Sequence, residues 1–221
     1  SDDKRVSFGK NKIDDTCLPC LPAGRFRSSA TSIVTVAQRH IYKYMTERII
    51  IAGAGGQGVM LLGKVIAEAA AFEKKFVTWL PAYGAEVRGG TANCMVIISD
   101  EEIGSPFIGQ SDSMIIMNEP SFHRFKNRIK DKGIMLVNSS LVNDTPATKA
   151  AIEKFPVTDA ALKLGNIKAA NMVALGAFIA KTKLVEYKTV VAVIQEMAPK
   201  DKPELIKLNI AALKEGMDLA Q

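Results

Sequence analysis

One stretch in the first third of the chain constrains the fold more than any other. The apolar run RIIIA is followed by GAGGQG and then by VMLLGKVIAEAAA, so a buried strand, a glycine turn and a helix follow one another directly. The turn contains the spacing G-x-G-x-x-G as Gly53, Gly55 and Gly58. In α/β proteins this order places the amino end of a helix, with its free N–H groups, against a bound phosphate. The stretch therefore predicts a phosphate-binding loop.

The three glycines have separate expected roles in such a loop. Gly53 allows the tight turn out of the strand, Gly55 the close approach of a ligand, and Gly58 close packing of the helix against the strand. The candidate cofactor-binding set is completed by the residues between and after them, which are Gly56, Gln57 and Val59. The alternative is structural, because glycines can also permit a tight strand–helix turn that binds nothing.

Two familiar types of nucleotide site fit the loop incompletely. A nicotinamide dinucleotide site requires an acidic residue about 20 residues further on, at the end of the second strand, for the ribose hydroxyls. That position reads VTWLPAYG and contains neither Asp nor Glu. The sequence also lacks the P-loop spacing G-x-x-x-x-G-K-[ST]. A stand-alone Rossmann-type oxidoreductase is therefore an alternative and not the first choice.

A second irregular stretch, PAYGAEVRGGTANC, occupies Pro81–Cys94 and follows the predicted strand KFVTWL. Its proline and glycines exclude a regular strand or helix before Thr91. Open α/β sheets bind their ligands at the carboxyl ends of strands, so Tyr83 and Arg88 are candidate ligand contacts. The Arg88 guanidinium can bind a phosphate or a partner's carboxylate, or it can form a surface ion pair with Glu86.

From Thr46 onward the chain alternates between short apolar strands and helices. Strands are predicted at RIIIAG, KFVTWL, TANCMVIIS, SMIIMN, GIMLVNS and FPVTD, and helices at Val59–Glu73, Pro120–Lys130, ATKAAIEKF, Ala169–Lys181, Tyr187–Met197 and Pro203–Ala220. Continuous runs of Ile, Val and Met are typical of strands covered on both faces. The alternation predicts an α/β fold, with a largely parallel sheet, helices on both faces and a C-terminal helical flank.

Residues 1–45 do not follow this pattern. They are polar, basic and irregular, with CLPCLPAGRFRSSATS at their centre. We expect them to form a disordered N-terminal extension, and residues 46–221 to form a single α/β domain. The extension lacks the apolar segment of about 7–15 residues that a secretory signal needs. No run in the chain reaches the roughly 18 apolar residues of a membrane span, so a cytoplasmic protein without membrane contact is expected.

The charge distribution and the cysteines limit which ligands and metal sites the chain is expected to have. The net charge is +6, but Lys and Arg are spread along the chain, which favours an acidic ligand or a solvated surface over nucleic acid. Cys17 and Cys20 form one C-x-x-C pair without the further ligands of a zinc or iron–sulfur site, and Cys94 is expected to be a buried thiol. Neither His40 nor His123 has a metal-like neighbour in sequence. We expect no metal site, and no catalytic triad or carboxylate pair stands out.

Taken together, the motifs resemble one known family. GAGGQGV followed by PAYGAEVRGGTANC is similar to the gamma subunit of 2-oxoacid:ferredoxin oxidoreductases. SDSMIIMNEPSFHRF and LGNIKAANMVALGAF are similar to later stretches of that family. The resemblance extends from Thr46 to the C-terminus and does not cover residues 1–44. The form RGGTANC resembles the 2-oxoglutarate and branched-chain 2-oxoacid enzymes, and 2-oxoglutarate is the preferred substrate.

The resemblance implies one subunit of an enzyme that oxidatively decarboxylates a 2-oxoacid to an acyl-CoA. Thiamine diphosphate with Mg²⁺ and the 4Fe-4S clusters are expected on partner alpha, beta and ferredoxin-like delta subunits, and ferredoxin is the electron acceptor. This chain carries neither the G-D-G…N signature of thiamine enzymes nor a cysteine-rich cluster motif, so no catalytic residue is expected in it.

The resemblance also implies that the gamma domain helps to form the coenzyme A site. The loop Gly53–Gly58 then holds a CoA phosphate, and Tyr83 and Arg88 flank its entrance. Asn166 and Asn171 match the family's later motif, although a helix cap for the first and a buried amide for the second are at least as well supported by residue type. A pure assembly subunit that binds no ligand is the remaining alternative.

Overall fold

The computed structural model describes residues 45–82, 91–146, 148, 150–199 and 201–221. The elements are β1 (Thr46–Ala54), α1 (Val59–Phe72), β2 (Phe76–Ala82), β3 (Thr91–Ser99), β4 (Ser111–Ile116), α2 (Glu119–Phe125), β5 (Ile129–Asn138), β6 (Ala151–Phe155), α3 (Val157–Lys163), α4 (Ala170–Thr182), α5 (Tyr187–Met197) and α6 (Pro203–Leu219). Single 3₁₀ turns occupy Lys126–Arg128 and Ile167–Ala169.

The described strands form a six-stranded sheet in the order β2-β3-β1-β4-β5-β6. β1, β4, β5 and β6 pair in parallel, whereas β3 runs antiparallel to both β1 and β2. The largely parallel α/β sheet predicted from the sequence is therefore confirmed. Because β3 separates β2 from β1, the strand that follows α1 lies two positions away from the strand that precedes it.

The central strand β1 shows why its sequence is apolar without interruption. Ile49, Ile50 and Ile51 are fully buried. Ile49 and Ile51 pack into one core cluster, and Ile50 packs with Phe122 into the other. A strand covered on both faces needs apolar side chains at successive positions, and β-branched residues suit the extended backbone.

Helices cover both faces of the sheet, as predicted, but unequally. The larger core cluster joins one face of the sheet to α1, α3, α4, α5 and α6. The smaller cluster joins the opposite face to α2 and to the segments that follow β3 and β5. In the described part of the chain, no helix combines the length and the apolar character that crossing a bilayer requires.

The predicted C-terminal helical flank is built on two glycines. A Cβ at Gly176 of α4 would overlap the Leu213 carbonyl oxygen, and a Cβ at Gly216 of α6 would overlap that of Val173. The backbones of the two helices therefore touch, which explains two glycines inside helices at positions where alanine is otherwise favoured.

Two predicted elements between β5 and α4 are wrong. Residues 151–155 of the predicted helix ATKAAIEKF form β6, because Ile152 pairs in parallel with Met135 of β5 and adds an edge strand. Residues 157–159 of the predicted strand FPVTD begin α3. Pro156 has no N–H for the sheet ladder and precedes the first helical residue.

The helix predicted at Pro120–Lys130 is shorter than expected. α2 ends at Phe125, a 3₁₀ turn follows, and β5 begins at Ile129. The early start of β5 is explained by its neighbour, because Ile129 pairs with Ser111 of β4.

Candidate functional site

The glycine loop lies where the connections of the sheet change direction. β1 leads through α1 to β2 on one face, whereas the neighbouring β4 leads through α2 to β5 on the other. A crevice at the carboxyl ends of β1 and β4 follows from this topology, and it is the usual ligand position in open α/β sheets. A cavity of about 140 Å³ lies there, lined by Gly56, Gln57, Met117, Leu141, Thr158, Ile167, Lys168 and Ala170.

Two glycines of the loop are required by packing. Gly53 has no room for a side chain, since a Cβ there would lie 2.7 Å from Gln57 Oε1 and 2.9 Å from Met117 Cβ. Gly58 has a left-handed φ of 71°, and a Cβ there would overlap the side-chain amide of Asn171 in α4. Both positions exclude other residues whether or not a ligand binds.

Gly58 was expected to let α1 pack closely against a strand, but its nearest neighbour is a side chain of another helix. Gly58 meets Asn171 of a second helix, and the glycine that lets α1 approach the sheet is Gly63. A Cβ at Gly63 would overlap Cys94 Sγ and lie 3.3 Å from Ile51 Cδ1. The signal was present in the sequence, because a glycine inside a strongly apolar helix lowers helix propensity and indicates a close approach.

The tip of the loop is open. Gly56 is exposed with a φ of 94°, and among the described atoms none lies within 4 Å of where its Cβ would be. Gly55 is half-buried. The loop therefore divides into two packed glycines at its ends and a tip at which the backbone can approach a ligand closely.

The Gln57 side chain folds back on the loop. Its Oε1 accepts a hydrogen bond of 2.7 Å from the Ala54 N–H, and its Nε2 donates to the Met117 carbonyl at 3.3 Å. The loop is thereby tied to the end of β4. Val59, another member of the predicted site, has its side chain buried in the core, which leaves its backbone N–H for a ligand.

The positive potential at the amino end of α1 is not neutralised by residues of the helix itself. Gly58 occupies the N-cap position without a side chain to accept a hydrogen bond, and the first turn contains no acidic residue. The free N–H groups and the positive end of the helix dipole favour an anion at this place.

Two cations near the crevice were absent from the predicted set. Lys168 lines the cavity, and Arg124 Nη1 donates a hydrogen bond of 2.5 Å to Thr91 Oγ1. Thr91 pairs with Ala54, so Arg124 lies beside the end of β1. Both residues are inside sequence stretches that carry the family resemblance, but nothing in their spacing distinguishes them from surface cations.

The predicted contacts Tyr83 and Arg88, together with Glu86, lie outside the described residues. The residues that flank this segment, Ala82 and Thr91, lie at the same edge of the sheet as the glycine loop. Ligand contact by Tyr83 and Arg88 therefore stays a prediction.

The two asparagines of LGNIKAAN have the structural roles considered for them. Asn166 caps the 3₁₀ turn, because its side chain accepts from the Lys168 N–H at 3.0 Å. Asn171 is buried, and its Nδ2 donates to the Gly58 carbonyl at 3.3 Å. The buried amide nevertheless belongs to the site, since it holds the end of the glycine loop.

Cys94 is the buried thiol that the sequence predicted. Burial raises its pKa to about 12, and its Sγ donates to the Val59 carbonyl at 3.5 Å, so it is an unreactive core residue. Cys17, Cys20 and His40 lie outside the described residues. Within the ranges that the structure describes, no group of three or more His, Cys, Asp and Glu side chains could hold a metal ion.

The sheet order weakens the dinucleotide alternative. In a Rossmann site the acidic residue that binds the ribose stands at the end of the strand next to the glycine loop. Here β3 lies between β1 and β2, and β2 contains no acidic residue. The ribose contact of a nicotinamide dinucleotide therefore has no counterpart on β2.

Comparison with known proteins gives a consistent result. Residues 48–219 match the protein family described as pyruvate ferredoxin/flavodoxin oxidoreductase. The chain is 38% identical over 176 residues to the ketoisovalerate oxidoreductase subunit VorA of Methanothermobacter thermautotrophicus, a match that covers 79% of this chain but only 36% of that relative. It is 32% identical to the 2-oxoglutarate synthase subunit KorC of Methanocaldococcus jannaschii, covering 80% of this chain and 95% of the relative.

Solved structures that share the fold include two from this type of enzyme. The gamma subunit of a keto/oxoacid ferredoxin oxidoreductase from Geobacter sulfurreducens is 31% identical with a TM-score of 0.69, covering 79% of this chain and 98% of that one. A 2-oxoglutarate:ferredoxin oxidoreductase from Magnetococcus marinus, solved with 2-oxoglutarate, coenzyme A and succinyl-CoA bound, is 25% identical with a TM-score of 0.73, covering 79% of this chain and 31% of that one. The resemblance to gamma subunits is thus confirmed.

Proposed function

The chain belongs to the pyruvate ferredoxin/flavodoxin oxidoreductase family, and from this premise we propose that it acts as the gamma subunit of a 2-oxoacid:ferredoxin oxidoreductase. The complete enzyme oxidatively decarboxylates a 2-oxoacid, transfers the acyl group to coenzyme A and passes the electrons to ferredoxin. Alpha, beta and ferredoxin-like delta partners carry the thiamine diphosphate, Mg²⁺ and 4Fe-4S clusters. The enzyme works in the cytoplasm, and the isolated chain turns over no 2-oxoacid.

This chain contributes part of the coenzyme A site. The observation that carries this proposal is the position of the glycine loop, whose open tip and uncapped helix end lie at the switch point between β1 and β4. A CoA phosphate there accepts hydrogen bonds from backbone N–H groups of Gly55, Gly56 and Val59. Lys168 lies in the same cavity as a counter-ion, and Tyr83 and Arg88 are the proposed contacts from the neighbouring segment.

The cavity also offers apolar surface to the aliphatic segments of CoA. Leu141 and Ile167 line the cavity and are 41% and 54% exposed, so part of each aliphatic side chain is available to a ligand. A ligand that combines phosphates with an apolar arm matches this mixed lining better than inorganic phosphate does.

The proposed substrate is 2-oxoglutarate, and a branched-chain 2-oxoacid is the second candidate. The form RGGTANC fits both candidates. The KorC relative, 95% of which is covered by the match, supports the first, whereas the higher identity to the ketoisovalerate subunit supports the second. Reduction of ferredoxin by the co-expressed subunits with each acid in turn separates them, because the preferred acid gives the higher kcat/KM.

The coenzyme A proposal is tested on Lys168 in the assembled enzyme. Lys168→Gln removes the cation from the cavity, and Lys188→Gln removes an exposed lysine at the start of α5 as the matched control. We expect the KM for CoA to rise about three- to tenfold in Lys168→Gln, with kcat for the 2-oxoacid unchanged, and no change in the control. Equal CoA dependence in both variants would favour an assembly subunit without a ligand.

Arg88 provides a second test with a larger expected effect. Arg88→Ala removes both the charge and the paired N–H groups, whereas Arg88→Lys keeps the charge. If Arg88 binds a CoA phosphate, affinity for CoA falls roughly ten- to a hundredfold in the alanine variant and less in the lysine variant. Loss of assembly in size-exclusion chromatography points instead to a carboxylate on a partner subunit, and normal assembly with normal CoA dependence points to the surface pair with Glu86.

A further inference from the structure

Asn138, at the carboxyl end of β5, is fully buried and uses all of its hydrogen-bonding capacity. Its Nδ2 donates to the Met117 carbonyl at 3.1 Å and to Thr158 Oγ1 at 2.8 Å. Its Oδ1 accepts from the N–H groups of Ser140 at 3.3 Å and Thr158 at 3.4 Å. Two donors and two accepting positions are the most that a carboxamide offers, so its orientation is completely determined.

The Met117 carbonyl is shared between Asn138 and the glycine loop. It accepts from Asn138 Nδ2 on one side and from Gln57 Nε2 at 3.3 Å on the other, which uses both of its lone pairs. Gln57 in turn accepts the Ala54 N–H, and the Met117 N–H donates to the Ala52 carbonyl at 2.8 Å. An unbroken chain of hydrogen bonds therefore runs from the start of α3 to the start of the loop.

We infer that Asn138 is a positioning residue of the glycine loop, although the hydrogen bonds of its side chain go to Met117, Ser140 and Thr158. It holds the Met117 carbonyl in the one orientation that Gln57 can bind, and Gln57 then fixes the turn that follows Ala54. Without Asn138 the Met117 carbonyl keeps only Gln57 as a partner, and the Thr158 N–H loses its acceptor. A conformation in which these groups reach water then becomes more favourable, because an unsatisfied buried polar group costs free energy.

The consequence for ligand binding rests on the proposed function. A loop held in one conformation presents its N–H groups to a phosphate without an ordering cost, so loss of the anchor lowers affinity for CoA without removing any ligand contact. The loop conformation itself can be measured without CoA, and this separates the two claims.

The test compares Asn138→Ala with Ser111→Ala in the full chain. Ser111 is also fully buried and also on a central strand, but it lies at the opposite end of the sheet, where its Oγ donates to the Arg128 carbonyl at 3.1 Å. Hydrogen exchange of the Ala54 amide is the reporter, because this N–H donates its hydrogen bond to Gln57 Oε1. We expect it to exchange about five- to tenfold faster in Asn138→Ala and at the wild-type rate in Ser111→Ala.

Gln57→Met supplies an independent variant from the loop side. It removes both the second donor to the Met117 carbonyl and the acceptor of the Ala54 N–H, so it should accelerate Ala54 exchange at least as much as Asn138→Ala does, and Asn138→Ala added to it should produce little further change. Asn138→Ser, which keeps a hydroxyl in place, serves the same comparison if the alanine variant does not fold. Wild-type exchange at Ala54 in a folded Asn138 variant, or effects of the two sites that multiply, would overturn the inference.

A CoA titration of the same variants in the co-expressed complex completes the design. The KM for CoA should rise in Asn138→Ala and stay unchanged in Ser111→Ala, with kcat equal in both. If the KM for CoA is the same in the wild-type enzyme and in Asn138→Ala although Ala54 exchanges faster in the variant, the proposed ligand is wrong. The exchange rate of Ala54 still decides the role of Asn138 in that case.

Discussion

The two ends of the central strands are held together by different chemistry. At the carboxyl end, the neutral amides of Gln57 and Asn138 share the Met117 carbonyl. At the amino end, Asp112 accepts from the Arg48 N–H at 3.0 Å and forms ion pairs with the side chains of Arg48, at 3.6 Å, and Lys130. Both arrangements join neighbouring strands, but only the second uses charge.

The difference follows from what each end has to accommodate. Ion pairs at the amino end are partly exposed and cost little desolvation, but salt screens them. At the carboxyl end of the strands, an acidic anchor would repel an anionic ligand and offset the positive potential of the adjacent helix terminus. Neutral amides fix the loop and leave that potential available to the ligand. The absence of charge among these anchors is therefore itself consistent with a phosphate site.

The largest expected effect tests whether the carboxyl end is as tightly packed as its hydrogen bonds indicate. Gly58→Val places a β-branched residue at a left-handed φ and drives its Cβ into Asn171. We expect a loss of about 3 kcal/mol or more in the free energy of unfolding, which lowers the melting midpoint by roughly 6–12 °C. Thermal unfolding followed by circular dichroism measures it.

Two further variants show which part of this loss is steric. Gly58→Ala combined with Asn171→Ala relieves the overlap with the amide, so the double variant should be more stable than the sum of the single effects predicts. Gly56→Ala, at a positive φ but in open space, should cost on the order of 1 kcal/mol. A Gly58→Val chain that melts like wild type would show that Asn171 moves aside easily and that this end is loosely packed.

The contrast between the two ends is sharpened by salt. Asp112→Asn keeps a hydrogen-bond acceptor but loses two cationic partners, and Thr158→Val removes one acceptor of Asn138. Each should cost about 1–2 kcal/mol at low ionic strength. In 1 M NaCl the cost of Asp112→Asn should fall by more than half, while that of Thr158→Val should not change. Urea denaturation at two salt concentrations gives both numbers, and equal salt dependence would remove the proposed distinction.

The sequence was sufficient for the elements whose local pattern agrees with their surroundings. β3 was predicted with its observed bounds, Thr91–Ser99, and α5 with its bounds, Tyr187–Met197. In both, hydrophobic period, length and flanking residues indicate the same structure. The glycine loop is predictable for the same reason, since its spacing determines both the turn and the start of the helix.

The failures lie where distant contacts decide. The local sequence of AIEKF favours a helix, but the segment forms β6 because the edge of β5 offers it backbone hydrogen-bond partners. Asn138 and Lys168 join the loop only through the three-dimensional arrangement, at separations of about 80 to 110 residues that no local pattern records. The antiparallel insertion of β3 between β1 and β2 is also invisible in the sequence, because a βαβ pattern is compatible with adjacent or separated strands.

The smallest expected effect concerns Glu47, at the amino end of β1. Burial raises the pKa of this carboxyl above its ordinary value, and the neighbouring Asp112 adds to the shift, against the attraction of Lys130 and Arg48. A raised folded-state pKa means that ionisation costs stability. The cost is absent below the unfolded-state pKa, increases as pH rises through the interval between the two values, and is complete above the folded-state pKa.

Glu47→Gln removes this cost, because glutamine is neutral at every pH and has a similar shape. The melting midpoint at pH 7 should therefore rise by about 1–2 °C, and the difference from wild type should vanish near pH 4, where Glu47 is largely protonated in both folded and unfolded chains. Thermal melts at half-unit steps from pH 4 to pH 7 measure the interval. A variant that is less stable than wild type at pH 7 would mean that the ionised carboxylate is a net favourable member of the Arg48–Asp112–Lys130 group, and the amino end would then depend on charge even more strongly than its ion pairs indicate.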